Sequence, residues 1–137
     1  MPDDALLLAA RLCVALLFLG GFAQKLIDPG PVLDMLASVG LPGWTIVPVA
    51  AFNLAGGISL VCGLRLRGFA LVLAAYCLVT TYFHWQLRAD PWQVTIIVKN
   101  ISTAGGLLAL AVAGAGRFSV DGLSMRGRQP AQRTTKP

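Results

Sequence analysis

Lys99 lies seven residues after Trp92 inside an apolar run, and the chain contains no glutamate to neutralise it. All six acids are aspartates, and none falls in the middle of an apolar stretch. An ammonium in that setting must give up its proton, lean on backbone oxygens and water, or bind an anionic or carbonyl-bearing ligand. Four more polar residues belong to neighbouring apolar runs: Lys25, Asn53, His84 and Asn100. Counted in helical rise, Lys99 is roughly 10 Å below the interface marked by Trp92. His84 is about one turn from the end of its run, Lys25 closes another run, and Asn53 sits near the middle of its own. Together the five form a candidate polar pocket in one half of a membrane bundle. Arg11 stands apart, as a buried charge near the opposite side.

Each residue also has an ordinary structural reading. Arg11 and Lys25 can snorkel to opposite interfaces. His84, Asn53 and Asn100 can be interhelical hydrogen bonders. A single His with no second His, Cys or Glu at ligand spacing is no metal site, so no metal is expected. Cys13, Cys62 and Cys77 all fall in apolar segments without a C-x-x-C pair, which reads as packing rather than disulfide exchange.

The elements that must position these groups are four apolar stretches, over residues 5–24, 44–64, 68–87 and 92–114. Each is close to the ~20 residues that a helix needs to cross hydrocarbon. Asp28-Pro29-Gly30-Pro31 stops the first; PVLDMLASVG then has one apolar face and is too short to span, so it reads as an interfacial helix. The expected fold is therefore all-α: a four-transmembrane-helix bundle with a short interfacial helix between the first two spans. Cys77, Thr80, Thr81, His84 and Arg88 share a helical face, as do Thr95, Lys99, Ser102, Thr103 and Gly106. Arg11 and Lys25 share another, and Asn53 precedes Gly57 by one turn. Lipid rejects such stripes, so they are expected to face one another. The pairs Gly20-Gly21, Gly56-Gly57 and Gly105-Gly106 are expected to allow close helix approach.

Composition agrees. The chain of 137 residues is 56% hydrophobic and only 12% charged, against about 25% charged in soluble domains; mean hydropathy is +0.73. Residues 1–116 read as one membrane domain and 117–137 as a basic, flexible cytoplasmic tail. Of the net +5, the tail holds five cations and one aspartate, hence +4, leaving +1 for the rest. That placement suits topology and anionic lipid better than nucleic acid. Arg65, Arg67 and the tail cations lie on one side. Lys25 and Arg88, diluted by Asp28, Asp34 and Asp90, lie on the other. The positive-inside rule then puts both termini in the cytoplasm, and Trp44, Trp85 and Trp92 form a belt at the outer interface. The acidic start at Asp3 and Asp4, with Arg11 inside the apolar run, is unlike a signal peptide, so the first span is expected to be retained.

RLCVALLFLGGFAQKLIDP, NLAGGISLVCGLRLRGFA, TYFHW and IIVKNISTAGGLLALAVAGAGRFSVD resemble the helices of the DoxX family of small bacterial integral membrane proteins. The resemblance runs over residues 5–121, and its polar positions here are Arg11, Lys25, His84, Lys99 and Asn100. Many members carry Glu where this chain has Asn53, so an acidic partner for a buried Lys is missing. The resemblance implies a four-helix bundle in the bacterial inner membrane. It further implies a small accessory subunit of a membrane oxidoreductase system, such as a thiosulfate:quinone oxidoreductase, or a partner of thiol and superoxide stress enzymes. In that role the chain binds no cofactor of its own, contacts a quinone and pairs with an oxidoreductase subunit or a second copy of itself. It is then not catalytic alone. No haem ligand pair, Fe–S spacing or dinucleotide motif is present. The alternatives are binding or transport of a small lipid-soluble or anionic molecule, and a purely structural anchor of a larger complex.

Overall fold

A computed structural model describes residues 2–126. The chain is all-helical: α1 (Pro2–Ile27), α2 (Gly30–Ser38), a single 3-10 turn (Gly43–Thr45), α3 (Ile46–Cys62), α4 (Leu66–Gln86), α5 (Pro91–Ala113) and α6 (Val120–Arg126). No strand occurs among the described residues. Four of these segments are long and apolar enough to cross a membrane. The short helix expected between the first two spans is α2, started by Pro31 in its first turn and followed by Gly40 at φ +74°.

Local chemistry sets the ends. Asp3 and Asp4 open α1 and Lys25 closes it, complementing the helix dipole. Asp90 caps α5 by accepting from the Trp92 N–H at 3.0 Å, with Pro91 at the first helical position. Gly63, at φ +63°, ends α3 in the left-handed conformation that glycine adopts at little cost.

Most of each span faces outward: Leu16 is 70% exposed and Val112 81%. Lipid, being as apolar as these side chains, covers them without penalty, so association of the helices rests on close packing and interhelical hydrogen bonds. The packing is uneven. α1 lies mainly against α3 and α4 mainly against α5, with lesser contacts between the two pairs. The pairs join in a dense core made by Ala15, Leu60, Leu66, Ala70, Leu73, Ala104 and Leu107. Most of these belong to the half of the bundle that holds the α3–α4 turn and the end of α5, while Ala15, Phe18 and Cys77 carry the cluster to the middle of the helices.

That end is also stitched by side chains. Arg11 is fully buried and donates from Nη2 to the Phe118 carbonyl at 2.5 Å. Asp121 of α6 accepts from the Arg65 and Leu66 N–H groups at 2.9 and 3.0 Å, capping the start of α4. Asp4 accepts from the Arg117 N–H at 2.8 Å. The segment after Gly116, expected as a flexible tail, thus begins by folding back onto the bundle as far as Asp121, and α6 continues to residue 126. The rest of that tail lies outside the described residues.

Two sequence expectations change. The Thr95, Lys99, Ser102 and Gly106 positions of α5 are exposed on the bundle surface rather than turned inward. The inward face of α5 is instead Ile97, Asn100, Ala104, Leu107 and Leu110. Close fit against α4 selects the face with the larger apolar groups, and the small polar stripe lies about a third of a turn away. The glycine pairs divide likewise. A Cβ on Gly56 would strike Leu73 and one on Gly57 would strike Leu19, whereas Gly105 and Gly106 have nothing within 4 Å. Cys13 and Cys62 are exposed and only Cys77 is buried; all three are free.

Candidate functional site

The opposite half of the bundle, which carries Trp44, Trp85 and Trp92, is open inside. A cavity of about 780 Å³ runs between the two helix pairs there, within the size range of small-molecule sites. Its walls come from five helices: Leu17 and Phe18 of α1, Met35 and Leu36 of α2, Val49 of α3, Phe83 of α4 and Ile96 of α5. Lys25, Asn53, His84, Lys99 and Asn100 all line it. Arg11 does not; it belongs to the stitched end.

Each polar group has a distinct setting. Lys25 Nζ donates to the Gly21 carbonyl one turn back, at 3.0 Å. Lys99 lines the same cavity. Neither lysine makes an ion pair among the described residues. Lys99 was expected to be buried, yet it is exposed at the rim, where α5 meets a shallow surface groove of Pro91, Val94, Thr95 and Val98. The inward direction at this level is taken by Asn100, 6% exposed, whose Nδ2 donates to Thr80 Oγ1 at 3.1 Å and ties α5 to α4.

Asn53 is 4% exposed, and its Oδ1 is buried without a hydrogen-bond partner among the described residues. Its Nδ2 sits over Gly21, where a Cβ would come within 3.0 Å, so the glycine makes room for the amide. Tyr76 stands beside it, its ring tilted 53° against that of Phe52 with centroids 5.1 Å apart. Orphaned buried acceptors are uncommon because desolvation without a replacement bond is costly.

His84 is held by a chain of polar groups from the α4–α5 turn. Gln93 Nε2 donates to Asp90 Oδ2 at 3.2 Å, and Gln93 Oε1 lies 2.7 Å from His84 Nδ1. A carboxylate only accepts, which directs the Gln93 amide nitrogen to Asp90 and its oxygen to the ring. That oxygen also only accepts, so His84 Nδ1 carries the proton. In the neutral ring Nε2 is then a hydrogen-bond acceptor.

Sequence reasoning overlooked Gln93 and the cavity-lining Asp34 of α2. The Asp90-Pro91 pair was a legible helix-start signal. With a turn this short, a polar side chain one turn into α5 returns to the last turn of α4. Nothing in the spacing of Asp34 showed that α2 would fold over the cavity.

The DoxX family model matches residues 6–85, more than half of the chain. The chain belongs to the DoxX family. It is 27% identical over 121 residues to inner membrane protein YqjF of Escherichia coli, covering 88% of this chain and 93% of that one. It is 30% identical over 123 residues to inner membrane protein YphA of the same organism, covering 85% and 88%. No solved structure matches it significantly. With four apolar spans, this DoxX protein is embedded in a lipid bilayer.

Proposed function

We propose that this DoxX protein is a small accessory subunit of a quinone-linked oxidoreductase system, holding the head of a quinone-class molecule in the cavity between its helix pairs. The inner-membrane names of its relatives and the loop charges support a bacterial inner membrane with both termini cytoplasmic. The cavity then opens toward the outer half of the bilayer. The observation that carries the reading is that Lys25 and, at the rim, Lys99 line one largely apolar cavity with neither in an ion pair among the described residues. Like charges so placed favour an occupant that brings electron-rich oxygens on an apolar body. The chain supplies hydrogen bonds and charge, and electrons come and go through a partner.

The lysine pair equally favours a second reading, binding of a small organic anion. Equilibrium binding to the protein in lipid nanodiscs separates the two, using a short-chain benzoquinone and benzoate as probes. Quinone binding that weakens about tenfold in Lys99→Gln supports the first reading. Saturable benzoate binding that excludes the quinone supports the second. No binding of either probe sinks both. Purification in mild detergent tests the partner: recovery with an oxidoreductase subunit is expected, and recovery of this chain alone counts against an accessory role.

A further inference from the structure

The cavity's polar groups divide into donors and acceptors. Lys25 and Lys99 can only donate. Asn53 Oδ1 is the opposite: an acceptor, buried, unpartnered, on a residue that lines the same cavity. No described side chain supplies its donor, so an occupant of the cavity that carries a hydroxyl can complete it. The terminal torsion of an Asn is broad, which lets the amide turn toward such a donor. His84 adds a second acceptor, because the Asp90–Gln93 chain keeps the proton on Nδ1 and leaves the Nε2 lone pair free in the neutral ring.

A head group with carbonyl oxygens alone satisfies the lysines and leaves Asn53 and His84 unmet. A head group that also carries hydroxyl hydrogens satisfies both sets. Resting on the reading of the cavity as a ligand site, we infer that it selects a hydroxyl-bearing ring, a phenol or hydroquinone, over the carbonyl form of the same molecule. Leaving a buried acceptor unmet typically weakens binding on the order of 10- to 100-fold, and sites built to bond a substrate hydroxyl reject the analogue that lacks it. Applied to a quinone-class occupant, the site holds the reduced form in preference to the oxidised one.

Three probes with one tail test this on the wild-type protein in nanodiscs: a short-chain quinone, its hydroquinone under anaerobic reducing conditions, and the hydroquinone dimethyl ether. The hydroquinone is expected to bind at least tenfold tighter than either of the others. In Asn53→Leu, checked for folding by its thermal midpoint, that ratio should fall severalfold, with the remainder carried by His84. Equal binding of quinone and hydroquinone overturns this inference while leaving the quinone-site reading intact. So does an ether that binds as well as the hydroquinone. A preference undiminished in Asn53→Leu overturns the role given to Asn53, and absence of binding by all three probes overturns the ligand-site reading itself.

Discussion

Gly63 offers the sharpest test of how the stitched end is built. Substitution by Ala places a Cβ on a residue at φ +63°, a conformation that costs an L-residue roughly 1–2 kcal/mol. The new Cβ would also overlap the Arg11 guanidinium and crowd Ser119. Arg11 is fully buried with Nη2 committed to the Phe118 carbonyl, so it cannot yield without losing that bond. A hydrogen bond from a charged group contributes about 1.5–3 kcal/mol. The two effects sum to roughly 2.5–5 kcal/mol of destabilisation. The measurement is reversible unfolding in mixed micelles by SDS titration, followed by circular dichroism. Arg11→Met removes the guanidinium but leaves Ser119 in place, so Gly63→Ala made in that background should cost less than in wild type by about the Arg11 hydrogen bond, about 1.5–3 kcal/mol. If Gly63→Ala lies within about 1 kcal/mol of wild type, or costs the same in both backgrounds, the described closure of Arg11 beneath the α3–α4 turn is wrong.

Two further outcomes follow from the same geometry. Gly106→Ala should be neutral or stabilising by up to about 1 kcal/mol, since its Cβ meets nothing within 4 Å and Ala is the better helix former; Gly57→Ala, which strikes Leu19, should instead cost about 1–3 kcal/mol in the same titration. Gln93→Leu removes the acceptor that holds the His84 Nδ1 proton, so ¹⁵N spectra of the imidazole should change from one Nδ1–H tautomer to a mixture. An unchanged tautomer would refute the Asp90–Gln93–His84 chain.

Much of this protein was legible without coordinates because membrane insertion is governed by composition and length. Apolar runs near twenty residues, broken by Asp28-Pro29-Gly30-Pro31 and by the charged turns, leave the backbone no alternative to helices in hydrocarbon. That these polar groups share one part of the bundle was legible for the same reason: ionisable and amide groups are excluded from lipid, and helical rise put Lys25, Asn53, His84, Lys99 and Asn100 within the same half, where all five line the cavity. Which way each residue points was not. Periodicity identifies faces, but the contact face of α5 was decided by the fit of Ile97, Ala104 and Leu107 against α4, and this moved Lys99 from the interior to the rim.

The sequence by itself determined four membrane helices, a short helix after the first, and a set of polar groups with no glutamate among them. Local chemistry suffices for that, since propensity, hydropathy and stop signals act within a single segment. Only the tertiary structure decided that the helices pair as α1 with α3 and α4 with α5, dense at one end and parted at the other. It also decided that Arg11 is enclosed by residues more than one hundred positions away, and that Lys25 and Lys99 face one cavity. These outcomes depend on shape complementarity between segments distant in the chain: Gly57 admitting Leu19, and Gly63 leaving space for a guanidinium.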